Sequence, residues 1–251
     1  MAKRSTLVLT VIAGLAVFLV VLVLYLPASW FASFLPAQVK CRQLGGSIWN
    51  GECLGLQYQA AELGDATWNL SVGGVLSGRL RGDVDLRGPA VALRADLDTN
   101  FQGVGELRRV TAHVPLDPAV LPQLPPNQRG TVTADLPRLV LAAGPAPRLI
   151  QGFIELRDLR QLGGQPLDLG SYRVDFDGQA QANGEIQGKL RDLGGPFELQ
   201  GTVSLTPPNA YLVHGRIAGR TAQAENIVRE ITLGAAPDTS GRSEFSFEGS
   251  Y

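Results

Sequence analysis

The chain has 251 residues, of which 45% are hydrophobic, so it can build one large or two small folded domains and is not a disordered tail. Its formal net charge is −1, which excludes the strong positive field that draws proteins to nucleic acids or acidic membrane surfaces. Thirty glycines and sixteen prolines are spread along the chain and predict many short strands separated by turns.

The first clear structural signal is the uncharged apolar run at residues 7–26. A helix rises about 1.5 Å per residue, so this run would span about 30 Å, the hydrocarbon thickness of a bilayer. It predicts a transmembrane helix over residues 7–26, after a cytoplasmic tail of residues 1–6. Lys3 and Arg4 precede it, and no lysine or arginine follows before Lys40, so the positive-inside rule predicts a cytoplasmic N-terminus and an exported C-terminal part.

A cleaved signal peptide is the competing interpretation, because it also combines a basic start with an apolar run. The apolar region of a signal peptide is about 7–15 residues long and precedes a small-x-small cleavage site. The apolar run is longer here. The small residues Ala28 and Ser29 are flanked by Pro27 and Trp30, which do not form a small-x-small cleavage site with them. An uncleaved anchor is therefore favoured, and residues 27–39 become a linker at the membrane exit.

Residues 40–251 are predicted to form one exported β domain. Apolar and polar side chains alternate there over short stretches, as in residues 91–98, where Val91, Leu93, Ala95 and Leu97 fall on one face of a strand. Turn-rich spacers separate these stretches by the 8–12 residues typical of antiparallel meanders. The pattern predicts a mostly β fold, a long twisted up-and-down antiparallel sheet, and leaves open whether it is an open sheet or a partial barrel.

Two stretches have a helical pattern. Residues 117–124 begin with Asp117 and Pro118, but Pro122 limits them to about one turn. Residues 221–234 have Thr221 as N-cap, apolar residues at helical spacing, and Gly234 as a natural stop. The proline-rich residues 116–130 are interpreted either as a hinge between two halves of the sheet or as a long loop within one domain.

The sequence contains no recognisable catalytic or metal-binding pattern. The two histidines, His113 and His214, lack the spacing of a zinc site, and no nucleophile elbow or P-loop lysine is present. Acid pairs such as Asp83 and Asp85 lie on one strand face and indicate a solvated surface. We therefore expect neither enzymatic activity nor a cofactor or metal.

Several short motifs occur in a characteristic order along the chain. They are a Leu-Pro-Ala exit containing Pro27, a Gly-Ser-x-Trp-x-Gly turn containing Gly46, Trp49 and Gly51, a later Gly64 and Trp68, and a Leu-Gly-Gly-Pro turn containing Gly195 and Pro196. In this order they resemble general secretion pathway protein N (GspN), the inner-membrane N component of the bacterial type II secretion system.

The resemblance implies a single-pass protein of the bacterial inner membrane with a periplasmic β domain. Such a protein would act by contact with other type II secretion components, including the secretin, and not by catalysis. The family is also similar in build to AsmA-like proteins, whose long sheets with an apolar groove are associated with phospholipid traffic. A second hypothesis is therefore a lipid-binding or lipid-bridging module with phospholipid as its partner.

Cys41 and Cys53 are the only cysteines of the chain. Two cysteines without a nearby histidine provide half of a zinc site, and a redox pair normally has the C-x-x-C spacing. The predicted export places them where disulfides persist, so we predict a Cys41–Cys53 disulfide. If Asn50 and Gly51 form a two-residue hairpin turn, the cysteines are not directly opposite, and the bridge ties the incoming segment across the hairpin.

Overall fold

The structure, a computed structural model, describes residues 14–15, 18, 21–30, 36–59, 61–100, 103–118, 120–121, 124–141, 147–163, 166–181, 183–232 and 236–250. These residues form a 13-stranded antiparallel sheet and two short helices that connect its strands. In chain order the elements are β1 (Val39–Gly46), β2 (Asn50–Tyr58), β3 (Ala61–Ser71), α1 (Val72–Leu76), β4 (Arg79–Arg87), β5 (Ala92–Asn100), β6 (Gly105–Leu116), β7 (Gln128–Leu141), β8 (Pro147–Gln161), β9 (Leu167–Ala180), β10 (Ile186–Asp192), β11 (Phe197–Thr206), β12 (Ala210–Gly219), α2 (Ala222–Ile231) and β13 (Ser243–Ser250).

The strands lie in the sheet in the order in which they occur in the sequence. Each strand pairs with the next, and β1 and β13 are the two edges, so the part of the chain that the structure describes forms an open sheet. The predicted mostly β, up-and-down antiparallel fold is confirmed. Short turns suffice for this topology because neighbouring antiparallel strands need no crossover connection.

The strand register gives the sheet one apolar face and one charged face. Trp68 of β3 lies opposite Val84 of β4, and Val84 lies opposite Ala95 of β5. Side chains of this apolar face alternate with charged ones, so that Asp85 lies opposite Arg94 on the charged face. The alternation of apolar and charged residues in residues 91–98 therefore corresponds to the two faces of β5.

The middle of the apolar face is packed although none of the described elements forms a second layer over it. Each strand from β5 to β10 contributes one buried side chain to a single cluster: Ala95, Val110, Leu136, Ile150, Phe176 and Ile186. The described helices pack mainly next to β4 and β12, whereas β8 approaches β10 and β9 approaches β11. The twisted sheet therefore curls, and the side chains inside the curve bury one another.

Helix α2 covers the C-terminal end of the apolar face. Its buried Ala224 and Val228 pack against Phe197, Ile217 and Phe245. Thr221 is the N-cap, and its Oγ1 accepts a hydrogen bond from the Ala224 backbone N–H at 3.1 Å. The predicted helix and its cap are confirmed, whereas Gly234 lies outside the described residues.

Replacing Thr221 with alanine is expected to lower the free energy of unfolding by about 1 kcal/mol, because the Ala224 N–H loses its acceptor at the helix start. Urea unfolding of the detergent-solubilised full chain would measure the change. Thr221→Ser retains the hydroxyl and serves as the matched control. Equal unfolding midpoints for the alanine variant and the wild type would contradict this role of the cap.

The two other local expectations have simpler outcomes. Within the described residues of the segment 117–124, Leu121 N donates to Asp117 O at 2.7 Å, which is one helical turn and agrees with the limit predicted from Pro122. A residue before proline is disfavoured in the helical conformation, which explains the early end. The proline-rich segment connects β6 to β7, which pair with each other along their length.

Helix α1 is not predicted by the sequence, because its two glycines disfavour a helix.

Only part of the predicted transmembrane segment is described. Gly14, Leu15, Phe18 and residues 21–24 are helical, and the rest of residues 7–20, together with Lys3 and Arg4, lies outside the described residues. Within the described part of the chain, no helix has both the length and the apolar character needed to cross a membrane.

Candidate functional site

The β1–β2 hairpin has a turn organised by Ser47. The Ser47 Oγ accepts hydrogen bonds from the backbone N–H groups of Trp49 at 3.3 Å and Asn50 at 3.1 Å, and Ser47 N donates to Asn50 O at 2.8 Å. Asn50 and Gly51 consequently belong to β2, and Gly46 pairs with Gly51. The two-residue Asn50–Gly51 turn considered from the sequence does not form, because the serine side chain stabilises a longer turn just before it.

This turn docks onto the end of the N-terminal helical segment. The indole Nε1–H of Trp49 donates to Val23 O at 2.8 Å, and Ile48 N donates to Leu26 O at 3.0 Å. Pro27 forms an isolated β-bridge with Ser47. The last carbonyls of a helix lack the usual partners of the helix interior. The hairpin adds donors to the carbonyl of Val23, which also accepts from Leu26 N at 3.4 Å, and to the carbonyl of Leu26 just after the helix. We call these contacts, made by Val23, Leu26, Ile48 and Trp49, the helix–hairpin junction.

The second tryptophan of the motif lies beside the same turn. Trp68 Nε1–H donates to Ile48 O at 3.1 Å. Trp68 also lies opposite Gly51, where a Cβ atom would stand 2.2 Å from the indole ring. Gly51 is therefore the residue that lets the ring approach the strand, and the structure brings Trp68 into contact with the earlier Gly-Ser-x-Trp-x-Gly motif.

The remaining motif glycines meet other backbone requirements. Gly46 ends β1 with a φ of 76°, a conformation that L side chains rarely adopt. Gly64 has a φ of 114°, and a Cβ atom there would lie 2.2 Å from the Cα of Gly88, in the connection between β4 and β5. These two positions shape β1 and β3 and do not line the junction.

Gly195 and Pro196 lie at the opposite end of the sheet, in the β10–β11 turn. Arg220, the residue before the cap of α2, donates its backbone N–H to Pro196 O at 2.7 Å and its Nη1 to Gly195 O at 3.1 Å. Its Nη2 lies 2.9 Å from Asp192 Oδ1. This turn therefore fixes the start of α2 on the sheet.

The predicted disulfide is formed between β1 and β2. The Cα atoms of Cys41 and Cys53 are 5.5 Å apart. In the strand register Cys41 lies opposite Leu56 and Cys53 lies opposite Leu44, so the bridge runs diagonally across the hairpin. The two cysteines are therefore not directly opposite, although the Asn50–Gly51 turn from which this offset was expected does not form.

The apolar face of β1–β5 lines a half-open cavity of about 570 Å³ next to the junction, which we call the N-terminal cavity. This volume is within the roughly 300–1,000 Å³ of common small-molecule sites. The lining side chains are hydrocarbon, aromatic or sulfur-containing, and they include Ala28, Cys41, Ile48, Cys53, Trp68 and Val84. The sequence identified the cysteines and tryptophans but gave no signal that Ala28 of the exit segment would join them in one cavity.

The charged face carries a series of ion pairs between neighbouring strands. Arg138 Nε lies 2.8 Å from Glu106 Oε1 between β7 and β6, and Arg173 Nη1 lies 2.8 Å from Glu155 Oε1 between β9 and β8. Hydrogen bonds from Arg108 and Arg138 lower the pKa of the Glu106 carboxyl. Among the described residues, no group of histidine, cysteine, aspartate and glutamate side chains is arranged to hold a metal ion.

Acid is expected to destabilise the sheet through Glu155. Burial raises the pKa of this carboxyl, but hydrogen bonds from Arg157 and Arg173 outweigh burial and leave the pKa below its ordinary value of 4.5. A carboxyl with a lowered folded-state pKa stabilises the protein above its unfolded-state pKa, and this contribution is lost as the pH falls below about 4.5.

The measurement is the melting temperature of the detergent-solubilised full chain between pH 7 and pH 3. Glu155→Gln should lower the melting temperature at pH 7 and make the decline in acid shallower. An identical pH profile for the variant and the wild type would contradict the assignment to Glu155.

Comparison with known proteins confirms the resemblance to the N component of the type II secretion system. A family model described as type II secretion system (T2SS), protein N matches residues 37–246, from just before β1 into β13. The type II secretion system protein N of Vibrio cholerae is 26% identical over 253 residues, covering 90% of this chain and 92% of that relative. No solved structure matches. Because the family model covers nearly the whole sheet, the chain belongs to the type II secretion system protein N family.

Proposed function

We propose that the protein is a non-catalytic, single-pass inner-membrane component of the type II secretion system. Its N-terminus would be cytoplasmic, and its sheet would stand in the periplasm and contact other secretion components, including the secretin. This contact would assist the assembly or operation of the machinery that exports folded proteins across the outer membrane. Family membership supports the assignment to the system.

The helix–hairpin junction is the observation that carries the proposed architecture. Two backbone carbonyls at the end of the helical segment accept hydrogen bonds from Trp49 and Ile48, and Trp49 is only 7% exposed. The sheet is thereby fixed to the exit of the predicted anchor instead of hanging from a loose linker. A rigid connection of this kind suits a component that presents a surface at a set distance from the membrane.

The charged face is the surface that we propose for contact with other components. Positively charged arginines alternate with negatively charged carboxylates on this face, so no large region of it carries charge of one sign. Ion pairs between neighbouring strands hold these side chains in defined positions. Interfaces formed by such surfaces gain specificity mainly from charge complementarity.

Secretion in a strain that lacks the gene tests this proposal. Deletion should reduce the amount of type II substrate in the medium, and the wild-type chain supplied in trans should restore it. Cross-linking in intact cells should recover secretion components with the full-length chain. Normal secretion in the deletion strain, with no secretion component among the cross-linked neighbours, would overturn the proposal.

A second candidate function is lipid binding, and the N-terminal cavity is the observation that favours it. The cavity is apolar throughout and lies beside the helix exit. Native mass spectrometry of the full-length protein released from a mild detergent should detect bound phospholipid. Absence of any co-purifying lipid would count against this candidate and leave the secretion role unaffected.

A further inference from the structure

We propose that the N-terminal cavity is a blind site for one hydrocarbon chain of a membrane lipid, which enters from the periplasmic leaflet at the helix exit. In this proposal the lipid headgroup stays outside, and the apolar face beyond β5 is not a path for lipid. The inference rests on the lipid-binding candidate and names its ligand and its limit.

The chemistry of the lining selects a hydrocarbon ligand. The indole N–H of Trp68, the polar atom among the lining side chains named above, is already bonded to Ile48 O. Among the described residues, every buried side-chain nitrogen or oxygen has a hydrogen-bond partner, so none is left to meet a ligand. A polar ligand would lose its hydrogen bonds with water on entry and gain none.

The position of the cavity indicates where the ligand comes from. Ile48 lines the cavity and also binds Leu26 O at the end of the helical segment, and Ala28 of the exit segment forms part of the wall. The preceding helical residues, Val21 to Leu24, are 41–46% exposed although all are apolar. Such a helical surface is stable when lipid covers it, so the cavity opens where hydrocarbon chains are available.

The packing of the sheet sets the inner limit of the site. Leu97 of β5 lines the cavity, whereas Ala95 of the same strand is 6% exposed and belongs to the buried cluster that continues through β10. Beyond that cluster, Ala224 and Val228 of α2 cover the face at β11–β13. Because side chains fill the face from β5 onward, a chain that enters at β1 ends there, and the site holds a ligand without conducting it.

Photo-cross-linking of the full-length protein tests this inference. The protein is reconstituted in vesicles of phosphatidylethanolamine and phosphatidylglycerol that contain a phosphatidylethanolamine with a diazirine on one acyl chain. After illumination, peptide mapping should locate labels on cavity residues of β1–β5 as well as on the helical segment. Labels should be absent from the buried residues of β6–β10.

A pair of neighbouring substitutions provides the matched comparison. Ala66 lines the cavity, and Ala66→Phe should fill part of it and reduce labelling of β1–β5 at least fivefold. Thr67 is exposed on the charged face, so Thr67→Phe should leave this labelling unchanged. If Ala66→Phe does not fold, the label map of the wild type still decides the question.

The possible outcomes separate the claims. Labels that extend into β6–β12 would overturn the blind site while leaving lipid binding in place. Labels confined to the helical segment would overturn the cavity as a lipid site, and the secretion role would still be judged by complementation of the deletion strain. Labels on β1–β5 that Ala66→Phe removes and Thr67→Phe retains would support the inference.

Discussion

Replacing Trp49 with alanine is expected to cost about 3–5 kcal/mol in the free energy of unfolding, the usual range for removing a buried large aromatic side chain. Trp49 is 7% exposed, and its indole N–H binds Val23 O at 2.8 Å. Both the packing and the hydrogen bond are lost, so the first hairpin should separate from the helical segment before the rest of the sheet unfolds. Thermal melting and limited proteolysis of the detergent-solubilised full chain would measure this.

Trp49→Phe is the control that separates the two contributions. Phenylalanine keeps an aromatic ring in the junction but cannot donate to Val23 O, so its cost should be about 1 kcal/mol for the hydrogen bond plus a small packing loss. Early cleavage within residues 24–49 is expected for the alanine variant. If both variants melt and are cleaved like the wild type, the junction does not hold the sheet to the helix.

Removing the disulfide should have the next largest effect. The bridge closes a loop with a sequence separation of 12 between Cys41 and Cys53. A loop of this size restricts the unfolded chain by about 3 kcal/mol in the chain-entropy description. The double replacement Cys41→Ala and Cys53→Ala should therefore lower the free energy of unfolding by about this amount, as measured by urea unfolding of the full chain.

Reductant provides the internal control for this experiment. It should destabilise the wild type toward the stability of the double variant and leave the double variant unchanged. Because both cysteines line the N-terminal cavity, cross-linking of the acyl-chain probe should be repeated on the variant to separate stability from binding. Equal unfolding of wild type and double variant without reductant would show that the bridge does not constrain the chain.

Short sequence patterns predict the structural features that depend on residues close together in the chain. Alternation in residues 91–98 predicted both a strand and its apolar face, because side chains on a strand alternate strictly. Thr221 predicted the start of α2, because its hydroxyl meets a donor three residues away. The disulfide was predicted from the compartment and the spacing of the two cysteines.

Features that depend on distant residues could not be predicted in the same way. Asn50–Gly51 is a strong local turn signal, but the side chain of Ser47 and the contact with the helix end select a different turn. The N-terminal cavity requires Ala28 and Leu97, residues that only the assembled sheet brings together. The packed cluster from β5 to β10 depends on how far the sheet curls, and strand periodicity does not specify that.

The helix–hairpin junction also has a mechanical consequence. Trp49 binds the carbonyl of Val23 in the helical segment, and Ile48 binds the carbonyl of Leu26 just after it, so the hairpin restricts rotation of the helix about its own axis. A rotation by one residue, about 100°, would carry the Val23 carbonyl away from the Trp49 indole. In the proposed membrane-anchored arrangement, a torque applied to the helical segment would therefore also turn the first strands of the sheet.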